Sequence, residues 1–450
     1  MKDLTIGKEG GVIFRFALPM VIGNLLQQMY QVVDSIIVGN FLGKEALAAQ
    51  GASFPIFYSL IAFIIGIGSG ATVVISQYFG AKDLKSVKKA IDTIFIFLFF
   101  ASIVLTTIGI LLSDEIFTLL KVEPEVKPLA ISYFTIYMTG LVMFFGFNGT
   151  ASVLRGLGDS VTPLYFLLAS TIINIVLDIL FIVVFKWGIE GAAIATVIAQ
   201  GVAFLSGAIY LSYKHQIISF KISALHFDRK IFSQSLRIGL PTGFQQTFVA
   251  LGLLAMIRIV NNFDTNVLAA YTIASRIDAL AAMPAMNLAG ALSAFVGQNM
   301  GAGRIDRIRK GMRSTLFMSI ALSLIVIAGV YMWGEQIIGI FNKDPMVIKY
   351  GTNYLMIVSS FYIIFSSMFV IHGTLRGAGD TFIPMFISLF SLWIVRIPLA
   401  VFLSKHFGVN GIWWSIPIGW SMGLIGSYAY FLTGKWKTKG VTGIVPADDI

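Results

Sequence analysis

The chain has 450 residues, of which 57% are hydrophobic and only 12% are charged, with a mean hydropathy of +0.86. The charged share is about half of that in ordinary soluble domains, so a soluble globular protein is excluded. The net charge of +10 does not indicate nucleic-acid binding, because no loop is long enough for a soluble domain, and the absence of cysteine excludes disulfides and thiolate metal sites.

Apolar segments of about 20 residues or more recur along the whole chain, and each is long enough to cross ~30 Å of hydrocarbon as a helix. Their polarity does not alternate, which excludes a barrel of strands. We therefore predict an all-α membrane protein with twelve transmembrane helices. In chain order, spans 1 to 12 cover residues 14–38, 53–79, 90–112, 129–153, 162–185, 191–213, 236–262, 272–296, 314–333, 350–372, 382–403 and 411–432.

The two halves of the chain repeat one another. LRGLGD at Leu154–Asp159 recurs as LRGAGD at Leu375–Asp380, and QYFGAK from Gln77 recurs as QNMGAG from Gln298, both 221 residues later. A constant offset predicts a duplicated unit, and six spans per copy make the internal repeat parallel. The predicted parts are an N-terminal six-helix lobe (1–213), a cytoplasmic linker (214–235), a C-terminal six-helix lobe (236–434) and a cytoplasmic tail (435–450).

Basic residues are distributed unequally between the two sets of loops, with 22 on one side and seven on the other. The positive-inside rule then places both termini in the cytoplasm of a multi-pass protein of the plasma (inner) membrane. The sequence KHQIISFKISALHFDRK of the linker indicates either a short amphipathic segment on the membrane surface or a plain solvated connector.

Ionisable residues inside spans are costly in a membrane and usually functional. At ~1.5 Å per residue, Asp34 of span 1 and Asp178 of span 5 fall at a similar level in the outer half of the membrane. Asn174 lies one turn before Asp178 on the same helix face, while Thr196 and Tyr133 lie near the outer starts of spans 6 and 4. We therefore predict that these five side chains converge.

Two carboxyl groups in a medium of low dielectric lose hydration and repel one another, so binding a cation stabilises the pair. The predicted coupling ion is H⁺ or Na⁺, with no other cofactor, and for Na⁺ the ligands would be Asp34, Asp178, Asn174 and Thr196. The chain has no G-x-x-x-x-G-K-[ST] loop for binding ATP, so an ion gradient would supply the energy.

The second half lacks these acids, because Asp178 aligns with Leu399 and Asp34 aligns with Met256 or Ala255. The ion chemistry is therefore predicted to reside in the first half alone.

Asp278 of span 8 is the remaining acid at membrane depth. We predict a structural ion pair with Arg258 or Arg276, and a role in substrate binding or gating is the alternative.

The sequence resembles the multidrug and toxic compound extrusion (MATE) family over essentially its full length. The resemblance is carried by QQMYQVVDSIIVG in span 1, by GQNMGAG after span 8, and by the repeated LRGxGD with a proline four residues later, at Pro163 and Pro384. It implies a transporter rather than an enzyme, which exchanges a cation for drugs or toxic metabolites through a central cavity between two lobes. Its implied partners are small amphipathic or cationic organic substrates and membrane lipid, and the protein is expected to be a monomer.

Within the family the chain resembles the DinF-like branch, in which an Asp of span 1 and an Asn-x-x-x-Asp of span 5 carry the cation. The NorM-like branch uses acids in spans 7 and 10, whereas this chain has Gln245 and Gln246 in span 7, with a possible substrate or structural role, and no acid in span 10. The bending proline of span 1 corresponds to Pro19. The DinF-like cation residues match Asp34, Asp178, Asn174, Thr196, Tyr133 and Asn148, and a second asparagine of span 4 is replaced by Ala151.

Three alternatives remain at this stage. A flippase for lipid-linked oligosaccharides or related amphiphiles usually has a more cationic cavity and often extra helices. A major facilitator would carry a G-x-x-x-D-R-like loop between spans 2 and 3, where this chain has FGAKDLKSVKKA. A membrane-embedded enzyme would need a catalytic set such as H-E-x-x-H, which the sequence lacks.

Overall fold

The computed structural model describes residues 2–215 and 225–443, which are almost entirely helical. They form two compact units. Unit 1 comprises Lys2 and Leu18–Leu236, and unit 2 comprises the N-terminal segment Asp3–Ala17 and the described residues from Arg237 onward. The central part of the linker on which the amphipathic segment was predicted, 216–224, and residues 444–450 of the tail lie outside the described residues.

Unit 1 contains the helices of the first repeat. A π-helical stretch, Ile179–Val184, directly follows the seventh helix. The α-helices are α1 (Glu9–Leu42), α2 (Lys44–Gly80), α3 (Leu84–Leu111), α4 (Ser113–Leu119), α5 (Lys127–Thr139), α6 (Leu141–Gly156), α7 (Val161–Asp178) and α8 (Gly188–His215).

Unit 2 contains the helices of the second repeat. A π-helical stretch again interrupts the fifth span, here at Phe390–Arg396, and a 3₁₀ turn covers Lys435–Thr438. The α-helices are α9 (Arg229–Val260), α10 (Thr265–Gly301), α11 (Ile305–Phe341), α12 (Pro345–Ser359), α13 (Tyr362–Gly377), α14 (Phe382–Leu389) and α15 (Ile397–Leu432).

The twelve predicted transmembrane helices are confirmed. Among the described residues, nine continuous helical stretches are long and apolar enough to cross a membrane, and two further spans are bent pairs, α5 with α6 and α12 with α13, each with an angle of 50°. The last continuous stretch, Phe382–Leu432, has 51 residues and would measure about 76 Å if straight. It is broken at Gly408, whose φ of 58° favours glycine, and therefore makes two spans.

The N-terminal segment is held in unit 2, whereas the predicted N-terminal lobe began at residue 1. The Leu4 N–H donates to Gln298 Oε1 at 2.8 Å. Arg307 donates to the Gly7 carbonyl at 2.9 Å and pairs with Glu9 at 3.1 Å. These buried contacts join residues about 300 positions apart, so the first turns of α1 pack in unit 2 although the rest of the helix belongs to unit 1.

The start of α9 shows the converse: Arg229–Leu236 belongs to unit 1, although the rest of the helix belongs to unit 2. Tyr78 donates to Gln234 at 3.0 Å, and Asp228 accepts from the first N–H groups of α9. Hydrogen bonds from the Ile231 N–H, from Lys89 and from the Lys230 N–H hold the pKa of Asp228 below its ordinary value. This end of the linker is therefore fixed to unit 1 by polar contacts.

Small residues let helices approach closely within unit 2. A Cβ added to Gly373 or Gly377 of α13 would lie 2.4 Å from the carbonyl oxygen of Ala289 or Ser293 of α10. Close contact of this kind replaces a hydrophobic driving force in lipid. It fixes α10, which carries Asp278, against α13.

Candidate cation site

Asp34 of α1 is buried, with 6% of its surface exposed. Its Oδ2 accepts a hydrogen bond from Gln50 Nε2 of α2. Its Oδ1 and the Gln50 Oε1 are both buried without a hydrogen-bond partner. Two oxygen acceptors are therefore available beside one another in the apolar interior of unit 1.

Asp178 is the last residue of α7 and is fully buried. With its amide oriented to satisfy both neighbours, Asn174 donates from Nδ2 to Asp178 Oδ2 at 2.8 Å and accepts at Oδ1 from the Thr196 N–H at 3.3 Å. Asp178 Oδ1 has no partner. The π-helical stretch begins directly after Asp178, and π-bulges occur frequently at functional sites.

Thr196 connects the cluster to the first helix. Its Oγ1 donates to the Ala192 carbonyl at 3.1 Å and lies 3.3 Å from Tyr30 Oη of α1. Tyr133 of α5 is buried, and its hydroxyl lies beside Gln50 and within the field of both carboxyl groups. The site therefore draws side chains from α1, α2, α5, α7 and α8.

The carboxyl groups of Asp34 and Asp178 are adjacent, within hydrogen-bonding reach of one another. Neither makes an ion pair with a basic side chain in the described part of the chain. Three of the site's oxygens lack a donor, namely Asp34 Oδ1, Asp178 Oδ1 and Gln50 Oε1. Carboxylate and amide oxygens without donors suit a proton or a small hard cation, so the residues present fit either coupling ion.

The structure brings together Asp34, Asp178, Asn174, Thr196 and Tyr133, the five residues predicted to converge. Gln50 and Tyr30 also belong to the cluster, although the sequence analysis did not select them. Two signals could have found them: Gln50 is an amide three residues before the apolar run of span 2, and Tyr30 lies one turn before Asp34.

In the described residues, Asn148, which the resemblance added to the cation residues, makes no hydrogen bond to this cluster. It lies on α6, beyond the 50° bend that follows α5, and its Nδ2 donates to the Phe144 carbonyl of its own helix at 2.9 Å. The bend turns α6 away from the direction of α5, which carries Tyr133. The place of Asn148 in the site rested on the resemblance alone and stays a prediction.

Pro19 lies inside α1, which begins at Glu9 and continues to Leu42. It is therefore an interior proline rather than a helix-start proline, and it removes one backbone hydrogen bond from the helix. It follows closely after the boundary between Ala17, in unit 2, and Leu18, in unit 1.

The two glutamines of span 7 lie in unit 2 and are partly buried. Gln245 donates to Ser388 Oγ of α14 at 2.6 Å, which links α9 to the fifth span of its repeat. Within the part of the chain that the structure describes, Gln246 makes no comparable contact that would assign it a role.

The predicted ion pair of Asp278 with Arg258 or Arg276 is wrong. Both arginines are exposed, and no ion pair in the described residues includes Asp278. Instead, Asp278 Oδ2 accepts from Tyr354 Oη of α12 at 3.4 Å. The sequence spacing placed the charges near one another but did not show that the arginines face outward.

Comparison with known proteins gives a consistent result over the whole chain. The sequence profile described as MatE matches twice, at residues 19–180 and 241–402. A probable multidrug resistance protein of Bacillus subtilis, YpnP, is 32% identical over 97% of both chains. A probable multidrug resistance protein NorM of Thermotoga maritima is 26% identical, covering 95% of this chain and 93% of the relative.

Solved structures share the fold. A crystal structure of MATE in the bent conformation superposes with a TM-score of 0.91 at 24% identity, covering 96% of this chain and 97% of that one. An outward-facing multidrug resistance MATE family transporter of the MOP superfamily gives 0.88 at 24% identity, with 99% coverage of both chains.

Proposed function

The chain belongs to the MatE family, and from this premise we propose that it is a cation-coupled antiporter that exports drugs or other toxic organic compounds. The names of its multidrug relatives support the class of substrate. The observation that carries the coupling is the adjacent pair of Asp34 and Asp178 in an apolar unit, with an unpartnered oxygen on each.

The coupling follows from the charge of this pair. Two adjacent carboxylates without a basic partner are unstable in a dry site, and a proton or Na⁺ removes the repulsion. Asp34 and Asp178 would hold the cation, while Asn174, Thr196 and Gln50 would orient them through the contacts described above. A cation that binds one conformation better shifts the population toward that conformation, by no more than its differential affinity.

Helix α1 would transmit this change. Asp34 lies on α1 fifteen residues after Pro19, and the missing backbone hydrogen bond at Pro19 makes that turn compliant. Cation binding at Asp34 would then bend α1 near Pro19 and narrow the cavity of the first lobe.

The setting of the protein is part of the proposal. We place it in the plasma membrane as a monomer with both termini in the cytoplasm, on the distribution of basic residues in the loops. Large exposed apolar side chains such as Phe317, Ile325 and Phe402 would contact lipid. The substrates would be small amphipathic or cationic compounds, since antiport against a cation suits cargo of that class.

The test uses purified protein in proteoliposomes loaded with ethidium, a fluorescent organic cation. A pH gradient and a Na⁺ gradient are imposed in separate experiments, and dye movement is followed. The proposal requires that one of the two gradients accelerates ethidium transport and that dissipating it with an ionophore stops the effect. Dye movement unaffected by either gradient, or gradient-driven movement of a lipid-linked oligosaccharide in its place, would contradict the proposal.

A further inference from the structure

Unit 2 contains an acid at membrane depth that the proposed mechanism does not use. Asp278 of α10 is partly buried, and the hydrogen bond that its Oδ2 accepts from Tyr354 is long, at 3.4 Å. Its Oδ1 is buried and has no hydrogen-bond partner. A charged oxygen without a hydrogen-bond donor is unfavourable at a buried position, so the hydrogen bonding of this carboxyl group is unsatisfied.

The groups facing Asp278 come from each helix packed against it. Tyr362 of α13 lies beside Asp278, with its hydroxyl within reach of the carboxyl group. Arg396, at the end of the second π-helical stretch, is close enough for its charge to act on Asp278 but makes no ion pair with it, and its buried Nε has no partner. Tyr271 of α10 and Tyr354 complete the titratable neighbours.

Tyr362, which lies beside Asp278, also lines a cavity of about 70 Å³ along α10. Ala281, Ala282 and Ala285 line it and lie three, four and seven residues after Asp278, on the same helix face. On the other side, α11 contributes hydroxyl groups, including the buried Ser319 Oγ, which has no partner. A cavity of this size with polar atoms that lack partners can hold about two water molecules.

We propose that Asp278 is a proton-binding site in unit 2, framed by Tyr354 and Tyr362, with Tyr362 separating it from this cavity. A proton taken from water binds the carboxylate and leaves a neutral carboxyl group. When the proton leaves, the restored negative charge attracts Arg396, which therefore competes with the proton. A metal cation fits less well, because Asp278 is a single carboxylate and the charge of Arg396 repels a second cation.

The inference goes beyond the proposed function, because a proton can bind Asp278 whether or not transport uses it. It is tested on the purified Asp34→Asn/Asp178→Asn protein, in which the site in unit 1 has been removed. Infrared difference spectra between pH 5 and pH 9 report the C=O stretch of carboxyl groups that gain a proton in this range. Exposed aspartates titrate near pH 4 and contribute little to these spectra.

The expected result is a protonated-carboxyl band that disappears in the additional Asp278→Asn variant. Asp344→Asn, which changes an exposed acid of the same unit, should leave that band unchanged. Tyr354→Phe keeps the carboxyl group and should move the band to higher wavenumber, because one hydrogen bond is lost.

The last variant keeps the test decisive if Asp278→Asn does not fold. A spectrum without a band sensitive to either substitution would overturn the proposal. A band that responds to Na⁺ at constant pH would also overturn it, in favour of a metal ion. Ethidium transport by the wild type is a separate readout, so the two proposals fail separately.

Discussion

The two units have tyrosines at equivalent positions of the repeat. In each unit the tyrosine lies beside an acid, but the acids of the two units are not at equivalent positions. Tyr133 of unit 1 lies next to the pair formed by Asp34 and Asp178. Tyr354, 221 residues later, contacts Asp278, which comes from a different helix of its repeat. The repeat therefore has a tyrosine at the same position in both units, whereas the acid beside it comes from a different position in each unit.

The position that aligns with Asp34 shows what the scaffold itself requires. In unit 2 it is Met256 or Ala255, and Met256 is fully buried in an apolar core. Trp413 in the same core stacks on Tyr271 with 5.7 Å between the ring centroids. Unit 2 folds with an apolar side chain where unit 1 has a carboxyl group, so the fold does not require an acid at this position, and the burial of Asp34 calls for a functional explanation.

The largest contrast is expected at these aligned positions. Asp34→Asn and Asp178→Asn should each abolish gradient-driven drug efflux from cells, because neither amide supplies the negative charge that binds the coupling cation. Folding should be largely retained, since removing a buried charge without a basic partner relieves a desolvation cost. The matched variants Met256→Leu and Leu399→Met conserve volume and should leave efflux close to that of the wild type. Normal efflux by both asparagine variants would refute the assignment of the cation site to unit 1.

The next contrast concerns the ion pairs that hold the start of α1 and the start of α9. Arg307 and Glu9 are largely buried, whereas Lys89 is about half exposed beside Asp228. Arg307→Ala should lower the free energy of unfolding by ~3–5 kcal/mol because Glu9 and the Gly7 carbonyl lose their donor. Lys89→Ala should lower it by about 1 kcal/mol or less. Denaturant unfolding of the purified protein measures both, and equal effects would refute the assignment of the N-terminal segment to unit 2.

A third contrast compares the prolines of α1 and α9. Pro19→Ala restores a backbone hydrogen bond and stiffens α1, a change worth about 3 kcal/mol in a helix interior. Turnover should fall more than cation affinity does, because the cation ligands remain in place. Pro241→Ala stiffens α9, which carries none of the cation residues, and should reduce turnover less. Label distances between α1 and α7, recorded by electron spin resonance at two pH values, check the bending directly; distances that do not change in a proton-driven protein would exclude it.

The smallest contrast lies in the repeated LRGxGD motif. Asp159 of unit 1 accepts from the Val161 and Thr162 N–H groups at the start of α7, whereas Asp380 of unit 2 accepts from Tyr430 Oη. Asp159→Ala and Tyr430→Phe should each lower the free energy of unfolding by ~1 kcal/mol, through a lost cap and a lost hydrogen bond.

The effect of Asp159→Ala should also depend on pH. Partial burial raises the pKa of Asp159, but hydrogen bonds from Thr162 and Val161 outweigh this and leave the pKa below its ordinary value. The stabilisation is therefore complete above the ordinary range near pH 4 and is lost as the pH falls through the lowered pKa. The difference in stability between wild type and variant should shrink toward zero in acid. A difference that stays constant down to the lowest pH would show that the cap is not ionic.

The spans, the repeat and the polar cluster of unit 1 could be predicted because each depends on local composition and helix periodicity. Predicting the cluster required only that Asn174 and Asp178 share a helix face and that the polar residues of several spans lie at one depth in the membrane. The partners of Asp278 could not be predicted, because helix rotation directs Arg258 and Arg276 outward. The contacts of Arg307 with the N-terminal segment join distant parts of the chain, and nothing in the sequence signals them.

The central claim is that cation binding in unit 1 drives transport of the substrate against its concentration gradient. Its most direct test is ethidium accumulation against its own concentration gradient in proteoliposomes, with the effective cation gradient imposed across the membrane. We predict that the wild type accumulates the dye, while the Asp34→Asn/Asp178→Asn protein only equilibrates it. Uphill accumulation by that double variant would contradict the account.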